Sequence, residues 1–356
     1  MTVSLPLNAT IGILGGGQLG RMLSVAAARL GYKCHIFEPG TDCPAAQVAH
    51  AVTTTSYDDA DALKTFASAV DVITYEFENI PTQALDILES IRPIRPGRQA
   101  LATSQDRLIE KKFLNDLGLA TAPYAEVNSL NDLNAALGEI GPQAILKTRR
   151  FGYDGKGQVR IGADTDLSAA FDAQNGAPAV LEGFVDFQRE VSVIAARGLG
   201  GEISAYDPGE NLHSDGILRT TTVPAQLTSD QRTDAALLAA KILNALDYVG
   251  VMGVELFVTR QGLVVNEIAP RVHNSGHWTQ NGCSVDQFEQ HIRCVTGLSL
   301  GDGKRYADVR MENLIGDDMD RLPELLASSS SAVHLYGKAE TRPGRKMGHV
   351  NHIVKG

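Results

Sequence analysis

Cysteine, tryptophan and basic residues are scarce in this chain, and each shortage closes off a class of protein. Among 356 residues there are 4 cysteines and 1 tryptophan. Cys34, Cys43, Cys283 and Cys294 form no CxxC pair, so neither a disulfide framework nor a zinc site is expected, and the four are read as buried free thiols. Lysine and arginine number 32 against 42 acidic residues, and the net charge of −10 argues against nucleic acid or an anionic membrane as partner. A local basic pocket for a small phosphate is compatible with that charge. No apolar run approaches the ~18 residues of a membrane span, and residues 1–10 lack the charged and apolar regions of a signal peptide. The expectation is a cytoplasmic protein acting on small molecules. Its 43% hydrophobic and 21% charged content is that of a globular chain long enough for two or three domains.

What is present centres on residues 254–278. Residues 254–258 and 263–268 are apolar and β-branched, and Arg260-Gln261-Gly262 between them reads as a hairpin loop whose glycine suits a left-handed backbone. Pairing 255, 257 and 259 with 267, 265 and 263 sets Glu255 opposite Glu267 on one face. Carboxylates within about 5 Å repel unless they share a proton or hold a hard cation such as Mg2+. The bland alternative is an edge hairpin with both acids in water, but so apolar a hairpin belongs inside a sheet.

Earlier in the chain, Ile11-Gly12-Ile13-Leu14 reads as a buried strand, Gly15, Gly17 and Gly20 as a GxGxxG turn, and the alanine-rich stretch to Leu30 as a helix. A second strand, Cys34-His35-Ile36-Phe37, ends at Glu38, the acid that a dinucleotide site places some 20 residues on. Taken alone, the motif is either a nicotinamide or flavin site or a set of glycines that lets a helix pack closely on its strand. Residues 71–75 form a third strand that leads through Glu76-Phe77-Glu78-Asn79-Ile80-Pro81 into another helix. This is an α/β layer whose ligand-binding loops lie at the strand C-terminal ends.

An amphipathic helix is expected over residues 105–114, ended by Gly118, and Ala144-Ile145-Leu146-Lys147 is a strand that terminates in a lysine. The glycine-rich loop Gly152-Tyr153-Asp154-Gly155-Lys156-Gly157-Gln158 is either a flap whose amides cover phosphates or a flexible hairpin. It is not a Walker A loop, since Gly157 follows Gly155-Lys156 where that motif has Ser or Thr. Residues 180–185 are a strand end carrying Glu182, 189–197 a clean strand, 211–216 a polar loop and 229–246 a helix. His273 and His277 have zinc-helix spacing, but no Glu lies between them and Gly276 breaks the helix, so metal ligation is not expected. Trp278 is read as packing.

A strand lysine, a glycine flap, an acid at a strand end and a hairpin with facing carboxylates are together what ATP phosphates and Mg2+ need. On these pieces the sequence resembles the ATP-grasp enzymes, and among them the N5-carboxyaminoimidazole ribonucleotide synthetase family of purine biosynthesis. Further matching pieces are Gly17-Gln18-Leu19-Gly20-Arg21-Met22, Tyr75-Glu76-Phe77-Glu78-Asn79, Asn211-Leu212-His213 and Arg342-Pro343-Gly344-Arg345-Lys346-Met347-Gly348-His349. The most specific is Asn266-Glu267-Ile268-Ala269-Pro270-Arg271-Val272-His273-Asn274-Ser275-Gly276-His277-Trp278-Thr279.

The resemblance implies a fold of α/β and α+β parts: a Rossmann-like pre-ATP-grasp domain over 1–106, a two-part ATP-grasp domain over 107–297 and a small β-rich domain over 298–356. It implies that bicarbonate is phosphorylated by ATP to carboxyphosphate, whose carbon passes to the amino group of 5-aminoimidazole ribonucleotide. Carried over residue by residue, the ATP contacts are Arg107, Lys147, Gly152, Tyr153, Asp154, Gly155, Lys156, Gly157, Gln158, Glu182, Gly183, Phe184, Val185, Glu190, His213, Asn266 and Glu267, with Mg2+ on Glu255 and Glu267. Arg271 stabilises bicarbonate, Asn274 and Tyr153-Asp154 lie nearby, and His273 or Asp154 handles the proton. Gln18, Glu76 and Asn79 contact the ribonucleotide, along with Tyr153 and Arg271.

The C-terminal residues Lys338, Arg342, Arg345 and Lys346 concentrate positive charge in an acidic protein. They are either solvated surface, or a Pro343-Gly344 turn brings Lys338, Arg345 and Lys346 to the substrate 5′-phosphate. A homodimer follows from the resemblance alone, and family members commonly continue with a helical tail where this chain ends at Gly356, which is expected to loosen the C-terminal domain or alter subunit packing. Three rival readings stand beside it: a formyl-phosphate transferase of the same superfamily, a nucleotide-binding protein without turnover, and a hydride-transferring oxidoreductase. The last leaves Lys147 and the facing glutamates unexplained.

Overall fold

The computed structural model describes residues 4–152 and 157–355, and three sheets organise those residues. The first is parallel, in the order Ala51–Thr53, Lys33–Phe37, Thr10–Leu14, Val72–Tyr75. Its central strands are apolar on both faces because helices Gln18–Arg29, Ala60–Ser68 and Thr82–Glu89 accompany them, as parallel sheets require. The Ala51–Thr53 strand escapes a reading of the sequence because three residues carry no usable periodicity.

The second sheet is antiparallel: Tyr124–Val127, Ala179–Gly183, Ala144–Thr148, Gln158–Ile161. Leu146 and Leu181 pack into one core with Val127 and Leu133, beneath the Leu130–Ile140 and Leu167–Asp172 helices. Side chains alternate along a strand, so their neighbours Lys147 and Glu182 turn to the opposite, groove-facing side. The expected strand at 180–185 ends at Gly183, leaving Phe184 and Val185 in the linker to the next sheet.

The third sheet has nine strands. Its path runs Gly262–Ala269, Gly250–Thr259, Arg189–Arg197, Gly209–Ser214, Ile217–Val223, Asp308–Ile315, Lys346–Lys355, Ser331–Leu335, with Ile203–Ala205 paired to Arg189–Arg197. Strands from the last fifty residues thus continue the sheet that carries the hairpin. Residues 211–214, expected in a polar loop, lie in this sheet; their polar side chains bond laterally within it, which erases the apolar alternation by which a strand is recognised.

Two further expectations are corrected. The helix expected over 105–114 starts at Arg107 and runs to Asp116, because Asp106 leaves helical geometry to cap it, accepting from the amides of Leu108 and Ile109; a separate short helix, Arg98–Ser104, precedes it. The hairpin keeps Glu255 opposite Glu267 but then shifts: Leu256 pairs with Val265 and Phe257 with Val264, leaving Asn266 as a bulge. The first hairpin strand is interior to the sheet. The second is its edge, covered where the Val265 amide donates to the Ala120 carbonyl at 2.8 Å.

One core joins the first layer to the large sheet, with Ile11, Leu23 and Ile36 against Val251, Phe288, Val309 and Tyr336. Trp278 is buried within it, and all four cysteines are buried and unbridged. His291 accepts from the Val251 amide at 3.1 Å and meets the Thr74 hydroxyl at 2.7 Å, tying the two sheets by a polar bridge in an apolar seam. Among the described residues no helix is long and apolar enough to cross a membrane.

Candidate active site

Glu267 lines a groove with Arg107, Arg149 and Gly152, and Glu255 faces Glu267 across the hairpin. Glu255 Oε2 lies 3.4 Å from Asn266 Nδ2, and Glu255 Oε1 lies 3.4 Å from His273 Nε2. Glu267 Oε2 accepts from Arg107 Nη1 at 3.0 Å. Burial, then the charge of Glu267, pushes the Glu255 carboxyl up to about 7. Burial also opposes ionisation of Glu267, but Arg107 and Lys147 outweigh it and hold that carboxyl down at about 2. Of the two, Glu255 is the carboxyl driven toward its protonated form, which a bound cation would oppose. Among the described residues there is no group of three or more His, Cys, Asp or Glu arranged to hold a metal. Two carboxylates and no more suit Mg2+, which draws its other ligands from substrate phosphates and water.

Beside them stands a group of cations that begins with Arg107. Arg107 and Lys111 are four residues apart on one face of their helix. The side chain of Lys111 is 1% exposed, with Nζ 3.2 Å from Glu182 Oε2, and Lys147 donates to that same oxygen at 2.9 Å. Burial opposes the charge on Glu182, yet the two lysines hold its carboxyl below the usual range; burial in turn pulls Lys147 down. Two lysines on one carboxylate leave net positive charge in a nearly dry place, which an anion would relieve. Glu110 accepts from the Ile268 amide at 2.7 Å and is pushed up to about 8 by burial and then by Glu267. Reading the sequence missed Lys111 and Glu110; the available signal was their position one turn on from Arg107.

Asp106, besides capping, holds the Arg149 guanidinium through Nε at 3.0 Å and Nη2 at 2.7 Å, which anchors the entry to the glycine loop. Gly157 at its exit has φ +71°. Tyr153, Asp154, Gly155 and Lys156 lie outside the described residues; Gly152 lines the groove with Glu78, Asn79, Arg107 and Glu267, and Gln158 begins the next strand. Phe184 is exposed in the inter-sheet linker, with the Arg160 guanidinium 4.9 Å over its ring. His213 Nδ1 is 2.6 Å from Glu190 Oε2; burial lowers the His213 pKa, but the Glu190 carboxylate outweighs it and the net shift is upward.

Known proteins resemble the chain from end to end. Residues 8–105 match the ribonucleotide synthetase preATP-grasp domain, 112–288 the ATP-grasp domain, and 310–355 the phosphoribosylaminoimidazole carboxylase C-terminal domain. The N5-carboxyaminoimidazole ribonucleotide synthase of Brucella melitensis is 55% identical over 353 residues, 98% of each chain. The chain belongs to the N5-carboxyaminoimidazole ribonucleotide synthase family. Its Bacillus subtilis member is 43% identical, covering 96% of this chain and 91% of its own. An ADP complex of a family member superposes with a TM-score of 0.96 at 40% identity, covering 99% and 94% of the two chains. The Aspergillus clavatus member, in complex with ADP and 5-aminoimidazole ribonucleotide, gives 0.92 at 30% identity, covering 98% and 94%.

In this family member the N-terminal glycine turn is occupied by the protein's own acids. Glu38 accepts from the Gly16 amide at 2.7 Å, and Glu76 from those of Gly17 at 2.7 Å, Leu19 at 3.1 Å and Gly20 at 3.0 Å. A Cβ on Gly17 would stand 2.7 Å from a Glu76 oxygen, so that glycine exists for the close approach of the carboxylate. These are the amides that would hold a pyrophosphate in a dinucleotide site. The oxidoreductase reading falls here, and calorimetry with NAD or NADP is expected to show no binding at micromolar concentration.

The remaining expected site residues divide into two groups. Arg271 is clamped by Glu78, through Nε to Oε2 and Nη2 to Oε1 (the latter at 3.2 Å), and its Nη1 donates to the Val272 carbonyl at 3.1 Å. Asn274 exchanges both amide groups with Asn313, at 2.9 and 2.8 Å. Gln18 opens the helix beside the Glu76-bound amides. At the C-terminus, Gly344 takes φ +75° and the Arg345 amide returns to the Arg342 carbonyl at 3.0 Å, the expected turn. Lys338 Nζ donates to the Lys346 carbonyl at 2.6 Å, and Arg345 pairs with Asp42 of the first layer at 2.6 Å. Burial, then Arg345 and Lys346, brings Lys338 down to about 8, while Arg342 stays outside, 3.7 Å from Glu340.

Proposed function

We propose that this chain carboxylates 5-aminoimidazole ribonucleotide on its amino group, with bicarbonate and ATP as co-substrates and ADP and phosphate as products. The observation that carries the reading is the gathering of Arg107, Lys111 and Lys147 about the carboxylates of Glu267 and Glu182, with Glu255 paired to Glu267 on the hairpin. A bicarbonate oxygen attacks the γ-phosphorus and the bond to ADP breaks; the amino nitrogen then attacks the carboxyphosphate carbon, phosphate leaves, and the nitrogen loses a proton.

Lys147 and Arg107 are read as the groups that neutralise phosphate charge, and Mg2+ held by Glu255 and Glu267 would supply further charge compensation. Arg271, whose planar guanidinium is oriented by Glu78, is read as presenting its remaining N–H groups to a bicarbonate-sized anion. Gly152 to Gln158, whose middle lies outside the described residues, is read as the flap that excludes water from carboxyphosphate. Glu182 to Val185, Glu190, His213 and Asn266 are read as the rest of the ATP site, and Gln18, Glu76 and Asn79 with Lys338, Arg345 and Lys346 as the ribonucleotide site. Residues 1–106, 107–297 and 298–356 are proposed as the domains, in a cytoplasmic homodimer whose association is tested by sedimentation of the full chain.

The deciding experiment is ADP formation measured with and without ribonucleotide and bicarbonate. Release that requires both supports the reading. Release triggered by formate in place of bicarbonate would point to formyl transfer, and ATP binding without any release to a non-catalytic protein.

A further inference from the structure

One nitrogen of His273 is surrounded by donors. The Ser275 backbone N–H lies 3.4 Å from Nδ1 and the Ser275 hydroxyl 2.8 Å from it. That hydroxyl accepts from Ser192 Oγ at 2.6 Å; Ser192 accepts from Asn211 Nδ2 at 3.0 Å; and Asn211 Oδ1 accepts from the Thr221 hydroxyl at 2.8 Å. Thr221, Asn211, Ser192 and Ser275 are all buried, so no bulk water substitutes for a partner. A hydroxyl has one proton, and a backbone N–H can only donate. Ser275 accepts from Ser192, so its own proton is left for Nδ1, and the amide beside it admits no proton on that atom. The neutral ring therefore carries its proton on Nε2, the nitrogen 3.4 Å from Glu255 Oε1.

The rest of the residue is fixed as tightly. Gln287 accepts from the His273 amide at 2.9 Å and donates to its carbonyl at 2.7 Å. The ring lies against Gly253, where an added Cβ would stand 2.6 Å from the Cβ of His273.

We propose that the Thr221–Asn211–Ser192–Ser275 chain locks His273 as its Nε2–H tautomer, so that His273 sets an N–H rather than a lone pair beside Glu255 and does not take the substrate's proton. Nδ1 can accept a proton only by breaking the chain, on the side away from Glu255. Ser275 and Ser192 are then positioning residues. The tautomer stands on hydrogen-bond geometry alone; its consequence for Glu255 rests on the reading of that residue as a Mg2+ ligand. A ligand carboxylate fixed by a histidine N–H follows the general logic by which outer partners tune a metal site.

The test is a long-range 15N–1H spectrum of the metal-free full chain at about pH 8, with His273 assigned by its loss in His273→Gln. Bare Nδ1 and protonated Nε2 are expected in the wild type. In Ser275→Ala the His273 signals move toward a mixture of tautomers, and calorimetry in the presence of ADP shows Mg2+ affinity lower by about tenfold. Ser275→Thr, which keeps the hydroxyl, retains the wild-type spectrum. A protonated Nδ1 in the wild type overturns the proposal even if no variant folds, and so does an unchanged spectrum in Ser275→Ala. A shifted tautomer with unchanged Mg2+ affinity removes the link to Glu255. Undiminished Mg2+ affinity in Glu255→Gln would instead defeat the ligand reading and leave the tautomer in place.

Discussion

Glu255→Gln will lose ATP turnover by about 10²–10³-fold while making the metal-free protein more stable above neutral pH. The two effects share one cause. Burial and the opposed Glu267 hold the Glu255 carboxyl up at about 7, against an ordinary value of 4.5. A carboxyl raised in the fold binds its proton more tightly there than in the unfolded chain, so stability falls as pH climbs from about 4.5 towards 7 and stays reduced above that. Glutamine removes that cost. The gain is of order a few kcal/mol at pH ~8 and vanishes near pH ~4, below both values. Glu267→Gln should lose activity equally but without the gain, because Glu267, held down at about 2 by Arg107 and Lys147, contributes stability that persists until pH falls through that value. Mg2+ must displace the Glu255 proton, so in the wild type its affinity should rise from pH ~6 to ~8 with release of a proton. Thermal unfolding of both variants across pH, beside turnover at low and high Mg2+, makes the measurement. Near-normal turnover in either variant at low Mg2+ would sink the metal assignment.

Arg345→Ala and Lys346→Ala should each raise the Michaelis constant for the ribonucleotide ten- to a hundredfold, since a charge-assisted contact to phosphate is worth roughly 1.5–3 kcal/mol. The Michaelis constant for ATP should hardly move. The Gly344 turn and the Lys338 contact to the Lys346 carbonyl gather these cations against the first layer, where Gln47 Nε2 donates to the Gly337 carbonyl at 2.7 Å. That face adjoins the glycine turn and Glu76, whereas the ATP-side lysines meet at Glu182 in the second sheet. Arg345 is half-buried, but its Asp42 partner is exposed, so a phosphate can take that partner's place. An unchanged ribonucleotide constant in both variants, or an equal loss for ATP, would return these residues to ordinary solvated surface.

Local rules made much of the site legible. Alternation along two apolar runs is enough to set Glu255 against Glu267, and a lysine ending a buried strand is enough to mark Lys147. The bulge at Asn266 was not legible, because a one-residue slip costs nothing in pattern until the partner strand is known. Nor was the strand at Gly209–Ser214, since Asn211 and its neighbours satisfy their polar groups sideways, through Ser192 and Thr221.

By itself the sequence determined the layer types, the specific run from Asn266 to Thr279 and thereby the family. Each depends on residues close in the chain, whose spacing is fixed by strand and helix periods. Tertiary structure alone decided the rest: that Glu38 and Glu76 fill the glycine turn, that Lys111 joins Lys147 on one oxygen of Glu182, and that a buried chain from Thr221 reaches His273. These pairings join residues tens of positions apart, and hydrogen bonds and charge take their direction from distances of about 3 Å. No period along the chain encodes such a distance; it exists only once the sheets have closed on one another.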